Sequence, residues 1–377
     1  MGLRVMINEK KCMGCGACIE CCPAQCIRLE IGKDGFERIQ IDTEKCVGCN
    51  LCNTVCQLEN TPQTHDIHSL YVISGKDNAK IGRSTSAGAA TAISEKFISH
   101  GGAVAGVGWD SHGEAAYFVA QYPGEAEQFR GSKYVSPQIN GIYKQVKQLS
   151  KKKKILFIGL PCHIAALQRV CRNEMENIFT VDLLCHGAPQ SSFLKDHLAS
   201  KLISLSDAAI SFREGEDYIL TAETTEKVYR EDFCRDPYLY GFLNGLIQKD
   251  FCYDCPYSYD NRLGDITLGD AWGQKFFPNQ RTNLAAVNTQ RGEELFKLIQ
   301  NDFYIREYPL KQFREESKQM KSAVRKHPGR EQFSKELVEK GFEVAAENAL
   351  GKEMRKLRVR RALSSVKQRV LSKDKRL

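Results

Sequence analysis

The N-terminal fold is decided by two stretches of sequence, KCMGCGACIECCP at residues 11–23 and KCVGCNLCNTVCQ at residues 45–57. Each contains four cysteines with the spacing Cys-x2-Cys-x2-Cys-x3-Cys. Three thiolates spaced in this way can bind three irons of a cubane from one tight loop, and in two-cluster ferredoxins the fourth cysteine reaches the other cluster. The repeat therefore predicts a bacterial-ferredoxin-like domain with two [4Fe-4S] clusters.

The repeat also assigns the ligands of each cluster. The first cluster is predicted to bind Cys12, Cys15, Cys18 and Cys56, and the second to bind Cys46, Cys49, Cys52 and Cys22. Small residues within the runs permit positive φ and a close approach of backbone N–H groups to cluster sulfurs; they are Gly14, Gly16 and Gly48. The alternative is a pair of structural zinc sites, which seldom combine a third cysteine at x2 with a fourth at x3. Pro23 completes the first run as in bacterial ferredoxins, whereas Gln57 completes the second, a departure that leaves the predicted ligands unchanged.

Composition indicates a folded protein of two or three domains. The chain has 377 residues, of which 42% are hydrophobic and 27% are charged. No apolar run approaches the ~18 residues that a membrane span needs, and the N-terminal segment lacks the apolar core of a signal peptide. We therefore expect a cytoplasmic protein, in which the sixteen cysteines are reduced and available to bind metal.

The positive charge of the chain is concentrated near the C-terminus. Residues 352–377 contain eleven Lys or Arg and two Asp or Glu. Their net charge of +9 exceeds the net charge of +8 for the whole chain. Apolar positions in this segment follow a rough helical stripe, namely Met354, Leu357, Leu363, Val366 and Val370. We expect a basic C-terminal helix, either solvated or docked on a peripheral partner or an anionic membrane surface. Because the rest of the chain is nearly neutral, nucleic acid is not an expected partner.

Beyond the ferredoxin-like segment the sequence alternates between strand and helix patterns, which predicts an α/β body. The expected strands are 103–107, 116–120, 155–158, 178–184 and 265–268, with helices at 86–100, after Pro161, and at 191–205. The predicted fold is thus a ferredoxin-like domain joined to an α/β domain. The predicted domains are 1–62, 63–150, 151–330 and the helical tail 331–377.

Four segments of the body together resemble the coenzyme F420 hydrogenase/dehydrogenase beta subunit family. They are RSTSAGAATA (83–92), RGSKYVSP (130–137), FIGLPCHIAAL with VDLLCHGAP, and FCYDCPYSYDNRLGDITLGDAWG (251–273). The resemblance covers about residues 10–320 and implies a ferredoxin-like segment joined to a flavin-binding α/β domain. For some members it also implies a deazaflavin coenzyme as substrate.

The segment STSAG precedes a predicted helix and suggests an anion site, since hydroxyls and free N–H groups lie at the positive end of the helix dipole. With the resemblance, it predicts FAD contacts by Ser84, Thr85, Ser86 and Gly88; a plain helix cap is the alternative. A second loop offers a hydroxyl, a cation and an aromatic ring to flavin or substrate, from Ser132, Lys133 and Tyr134. The alternative for this loop is a solvated turn.

A third metal site is predicted in the body. Cys162 and Cys185 each follow a strand, and strand ends on one edge of an α/β sheet line the same crevice. Cys252 and Cys255 form a half-site that needs two more ligands. A third [4Fe-4S] cluster is the favoured interpretation, with a structural zinc or unligated thiols as alternatives. The cysteines left over are Cys21, Cys26, Cys171 and Cys234.

Other residues near these motifs receive supporting roles. His163 and His186 follow predicted ligands and are expected to hydrogen-bond nearby groups rather than act as bases. For Asp265, Asp270 and Trp272, structural packing and a cofactor contact are left open.

The combination of clusters with a flavin predicts an oxidoreductase. Clusters transfer single electrons, a hydride carries two, and a flavin can exchange both. We expect an FAD-dependent iron-sulfur enzyme that exchanges electrons with a ferredoxin-like donor or acceptor protein, and hydride with an unidentified acceptor. Two other classes are weighed: an electron-transfer subunit of a larger complex without a small-molecule substrate, and a structural metal protein.

Overall fold

The structure, a computed structural model, describes residues 11–82, 84–271, 276–278, 280–316 and 320–374; the side chains of Lys80 and of residues 365–374 are not described. Within these ranges the strands form three sheets, with two, three and eight strands. The strands are β1 Ile27–Ile31, β2 Glu37–Ile41, β3 Ser69–Gly75, β4 Ala103–Trp109, β5 Ala115–Ala120, β6 Ile155–Gly159, β7 Ile178–Leu183, β8 Ala209–Glu214, β9 Asp217–Glu223, β10 Val228–Asp232, β11 Ile266–Asp270, β12 Asn283–Val287 and β13 Phe303–Glu307.

The α-helices of the described ranges are α1 Ala17–Cys21, α2 Leu51–Val55, α3 Asn78–Gly82, α4 Ala89–Ser99, α5 Ile142–Leu149, α6 Pro161–Val170, α7 Ser191–Ser200, α8 Pro237–Leu243, α9 Gln290–Ile299, α10 Leu310–Glu316 and α11 Arg330–Asp374. Short 3-10 turns lie at Glu125–Phe129, Met175–Asn177, Leu205–Asp207, Asp250–Asp254 and Gln300–Asp302. No helix of the described residues has the length and hydropathy that crossing a membrane would require.

The large sheet has the strand order β13-β3-β12-β11-β7-β6-β4-β5. Its centre is parallel, because β4 pairs in parallel with β6, β6 with β7, and β7 with β11. The flanking strands are antiparallel. The sheet draws strands from both predicted parts of the body, residues 63–150 and 151–330.

Alternating side chains bury both faces of this sheet, as the two-residue period of a strand requires. On one face Val104, Leu156 and Phe179 pack in a core with α4 and α9. On the other, Ala105, Phe157 and Ile178 pack in a core with α5 and α6. This mixed, doubly covered sheet confirms the predicted α/β body.

The ferredoxin-like domain consists of β1 and β2 and the two short helices. The hairpin is antiparallel, with Ile27 opposite Ile41. Gly16 and Asn50 hold corresponding positions of the two runs, and both precede a helix in the left-handed conformation, at φ 72° and φ 60°. Gly14 and Gly48, one residue before the second cysteine of each run, have similar φ values of 64° and 68°. The sequence repeat is thus a repeat of backbone conformation, as the glycines predict.

The ferredoxin-like domain is anchored to the body by buried groups. The Glu20 carboxylate, 8% exposed, accepts hydrogen bonds from the N–H groups of Tyr143 and Lys144 in the first turn of α5, at 3.3 and 3.0 Å. The Tyr143 hydroxyl donates to the Cys15 carbonyl at 2.8 Å. Lys249 pairs with Glu37 at 3.0 Å.

The C-terminal helix α11 begins as part of the core and is kinked at Gly341, where φ is 76°. Phe333, Phe342 and Leu350 are buried beside α7 and α8. Met354 is 2% exposed, whereas Leu363 is 65% exposed. The predicted apolar stripe therefore starts buried and becomes solvent-facing; Val366 and Val370 lie outside the described side chains.

Candidate iron-sulfur and cofactor sites

In the first predicted ligand set, Cys15 packs against the core that α5 and α6 form in the body. Burial raises the pKa of Cys15 to about 11, and the neighbouring thiols of Cys12 and Cys56 add to this rise. Burial also raises the pKa of Cys18, again with contributions from the other three thiols of the set. Thiols crowded in this way are unfavourable as free thiolates and become favourable when they share a cationic metal centre. This group of four fits the predicted first cluster.

The second predicted set lines one cavity near the surface. Its lining includes Cys22, Cys46, Cys49 and Cys52. Cys49 is exposed, while Cys22 and Cys52 are buried. Burial raises the pKa of Cys52, and the thiols of Cys49 and Cys22 add to the effect. These four residues therefore fit a second cluster close to solvent.

Two cysteines that the sequence reasoning left over lie beside this second set. Cys26 lines the same cavity, and its Sγ is 3.4 Å from that of Cys22. Burial raises the pKa of Cys21 to about 12, with contributions from the thiols of Cys52, Cys22 and Cys49. Neither belongs to the Cys-x2-Cys-x2-Cys-x3-Cys spacing, so the pattern alone did not reveal them.

The four body cysteines also lie near one another. Cys162 lies in the first turn of α6, after β6, and Cys185 follows β7, so both are at the carboxyl edge of the parallel strands. Burial raises the pKa of Cys185 to about 12, and the thiols of Cys252 and Cys255 reinforce it. Cys185 is nevertheless accessible to solvent.

A buried arginine that sequence reasoning missed anchors the loop carrying Cys255. Arg262 is 2% exposed and pairs with Asp182 of β7 at 2.7 Å. It also donates to the carbonyls of Tyr257 and Tyr259, at 2.8 and 2.9 Å. The ion pair thereby fixes the loop to the strand that leads to Cys185. In the sequence, Arg262 is distinguished only by its position between the pair Cys252 and Cys255 and the strand β11.

The first and third thiol groups adjoin each other. Burial raises the pKa of Cys162, and the thiol of Cys15 is one of the neighbouring groups that add to this rise.

Among the described residues, no three His, Cys, Asp or Glu side chains converge as ligands of one metal ion. The left-over Cys171 is buried at the C-terminal end of α6, where its thiol faces the Tyr143 carbonyl at 3.6 Å.

Most of the histidines and acidic residues near these thiol groups form contacts with other groups of the protein. His163 is buried, and its Nδ1 lies 2.9 Å from the Tyr117 hydroxyl; burial lowers its pKa to about 3. His186 is exposed and lies edge-on to Phe242. Asp265 accepts from the backbone and hydroxyl of Thr180 at 2.8 and 3.0 Å, which is a packing role. Trp272 lies outside the described residues.

The predicted flavin residues lie at the same carboxyl edge of the sheet. The Ser132 N–H donates to the Thr85 hydroxyl at 2.9 Å, which joins the two predicted loops. Ser86 donates to Asp270 at the end of β11. Gly88 precedes α4 with φ 83°, and a Cβ there would lie 3.1 Å from the Ser84 hydroxyl.

Two arginines contact the STSAG segment and a third is linked to it through Asp270; the sequence patterns assigned none of them. Arg130 donates to the Ser84 hydroxyl at 3.1 Å. Arg281 donates to the Ser84 carbonyl at 2.5 Å. Arg213 pairs with Asp270 at 3.2 Å. Guanidinium groups around a helix N-terminus suit the phosphates of a dinucleotide cofactor, so the donor set fits FAD chemically.

Lys133 and Tyr134 are oriented into the protein. The Lys133 ammonium donates to the carbonyls of Gln128, Phe129 and Arg130, at 3.4, 3.1 and 2.9 Å. Burial lowers its pKa to about 7. The Tyr134 ring stacks on Phe242 with centroids 4.7 Å apart.

The fold and the thiol groups define an electron-transfer protein in which a ferredoxin-like domain is built onto an α/β body. Residues 11–60 match the 4Fe-4S dicluster domain. Residues 152–312 match the family model for the C-terminal part of the coenzyme F420 hydrogenase/dehydrogenase beta subunit. The resemblance predicted from the sequence is thereby confirmed over this part of the body.

A solved structure supports the same fold. A chain of the xenon-derivatised F420-reducing [NiFe] hydrogenase complex from Methanosarcina barkeri is similar, with a TM-score of 0.50 and 16% identity. The alignment covers 76% of the present chain and 92% of the hydrogenase chain. At this identity the likeness concerns the fold alone. A search of curated proteins found no match to the chain.

Proposed function

We propose that the chain is an iron-sulfur flavoprotein oxidoreductase. Electrons would pass between a ferredoxin-like protein, three [4Fe-4S] clusters and FAD, and hydride would pass to or from a small acceptor. A deazaflavin coenzyme is the first candidate, since the hydrogenase complex with a similar chain is described as F420-reducing. We further propose that the protein works in the cytoplasm.

The observation that carries this proposal is the position of the arginine-rich STSAG region. It lies at the carboxyl edge of the parallel strands, where ligands of open α/β sheets bind. Cys162, Cys185 and Asp270 lie at the ends of three strands of this edge. A cofactor held by Arg130 and Arg281 would therefore lie on the same edge of the sheet as the third thiol group.

The residues of the chain would bind and orient the cofactor. Bound FAD would supply exchange between one-electron and two-electron transfer. Arg130, Arg281 and the N-terminus of α4 would neutralise its phosphates. Asp270, held by Arg213 and Ser86, would position a hydrogen-bonding group at the end of β11.

The cofactor content tests the proposal directly. After anaerobic purification, acid extraction with flavin chromatography is expected to release FAD, and iron analysis to show about 12 irons per chain. Iron without flavin, even after incubation with FAD, would refute the flavoprotein and leave an electron carrier.

The third cluster has its own test. Cys252→Ala is expected to lower iron by about 4 per chain, because it removes one ligand of a separate site. Cys171→Ala, at a buried thiol outside the group, is the matched control and should keep the parental iron. Equal iron of about 8 per chain in both variants and the parent would remove this cluster from the proposal.

A second candidate is an electron-transfer subunit with no small-molecule substrate. It is favoured by the inward orientation of Lys133 and Tyr134, which leaves those side chains committed to internal contacts. A protein that retains FAD and clusters but reduces no deazaflavin or other small acceptor would support this candidate.

The exposed rim of the second thiol group is the proposed contact for a ferredoxin-like partner. Cys49 is exposed there, and beside it Val47 is 69% and Leu51 44% exposed. Apolar side chains around a surface cluster suit a transient electron-transfer contact. The basic outer part of α11 is a further proposed docking element for a peripheral partner.

A further inference from the structure

Gln57 occupies the junction between the first thiol group and the third. It follows the last cysteine of the second run, at the position that Pro23 takes in the first run. Its side chain is nearly fully buried, at 5% exposed. A buried amide must find its hydrogen bonds inside the protein, because unsatisfied polar groups are costly.

The Gln57 amide bridges three segments that are far apart in sequence. Its Nε2 donates to the Cys162 carbonyl at 2.9 Å. Its Oε1 accepts from the Tyr257 hydroxyl at 2.7 Å, and Tyr257 follows Cys255 by two residues. Gln57 directly follows Cys56, and its amide lies close enough to the Cys15 thiol to act on it as a hydrogen-bonding group. One side chain thus connects a ligand of the first group to both loops that carry the third.

We propose that Gln57 is a positioning residue that joins the first thiol group to the third and raises the reduction potential of the cluster bound by Cys15. Hydrogen bonds to ligand sulfurs stabilise the more negative, reduced form of a cluster. Proline, the residue at this position of the first run, has no side-chain amide and could make none of these bonds. The inference rests on the proposed function, because it requires an occupied first cluster.

The test is a redox titration followed by electron paramagnetic resonance on the full chain, purified without oxygen. Gln57→Leu is expected to keep the parental iron content, while the midpoint potential of one N-terminal cluster falls and that of the other stays. Gln63→Leu makes the same change at an exposed glutamine of the same segment and should shift neither potential.

A milder variant covers the case in which Gln57→Leu does not fold. Tyr257→Phe removes the hydroxyl that donates to the Gln57 amide oxygen but keeps the N–H groups of that amide. A smaller fall in the same potential is therefore expected. Parental potentials in every folded variant, with iron at the parental level, would overturn the inference alone. A parent chain without any cluster signal would overturn the proposed function as well.

Discussion

At the residue scale, the second thiol group contains more cysteines than a cluster needs. Cys26 is 4% exposed, and its Sγ lies 3.4 Å from that of the predicted ligand Cys22. The Cys26 thiol also interacts with Cys46, another member of the group. We therefore expect the Cys26 thiol to be able to replace Cys22 as the fourth ligand.

Cys22→Ala is therefore expected to retain the parental iron, whereas Cys22→Ala combined with Cys26→Ala should lose about 4 irons per chain. Iron analysis after anaerobic purification measures the difference. Cys56→Ala is the matched control and should lose iron, because the residue four positions after Cys56 is Asn60 and not a cysteine. Loss of iron from the Cys22 single variant would show that Cys26 does not act as a ligand.

At the scale of elements, the parallel strands of the large sheet and its edge strand β5 were predicted, whereas the strands of the three-stranded sheet were not. The predicted strand 103–107 is Ala103–Trp109 in the structure, and the predicted strand 155–158 is Ile155–Gly159. These strands are apolar because both sheet faces are covered. The strands β8, β9 and β10 were missed because they form a three-stranded antiparallel sheet with mixed polar and apolar positions. Pairing between such strands depends on partners that a local pattern does not contain.

Three helices meet at His197, a fully buried residue of α7. Its Nε2 pairs with Asp236, the N-cap of α8, at 2.8 Å, and its Nδ1 contacts Glu343 of α11. Tyr229 also donates to Asp236, and Lys201 pairs with Glu343. Burial lowers the pKa of His197, but the two carboxylates outweigh it and raise the pKa from 6.5 to about 9.

This shift predicts a pH dependence of stability. Because folding raises the pKa of His197, the charged imidazolium contributes its full stabilisation of the fold below pH 6.5. This stabilisation is lost as the pH rises through 9. The loss amounts to about 3 kcal/mol at 1.36 kcal/mol per pKa unit. Urea unfolding between pH 6 and 9.5 should show this decrease in the parent and not in His197→Gln. Equal slopes in the two proteins would contradict the assignment.

At the scale of the whole molecule, the ferredoxin-like domain packs into the body. Phe36, at the end of the turn between β1 and β2, is 2% exposed. Its ring lies edge-on to Phe193 at 5.2 Å, and the Arg330 guanidinium lies 3.8 Å from the ring centroid. The aromatic side chain of the small domain therefore belongs to the core that α7 and α11 share.

Phe36→Ala should reduce the free energy of unfolding of the holoprotein by about 3–5 kcal/mol, since it removes a buried aromatic ring. Ile31→Ala, in the same hairpin but 56% exposed, should change it by less than about 0.5 kcal/mol. Denaturant unfolding under argon, followed by circular dichroism, compares the two variants. Similar stability in both would show that the ferredoxin-like domain is not docked through Phe36.

The sequence by itself determined the ferredoxin-like domain, the eight cysteines predicted to bind its clusters and the positions of the strands at the centre of the large sheet. These follow from short-range spacing and periodicity, which act within one turn or one strand. Only the tertiary structure revealed Cys26 beside Cys22, Gln57 between Cys15 and Cys162, and the arginines around Ser84. Each of these depends on segments brought together by burial of side chains far apart in the chain, such as Arg281 against a loop almost 200 residues earlier. Spacing can encode a ligand set, whereas the groups that surround and connect the sites are selected by packing.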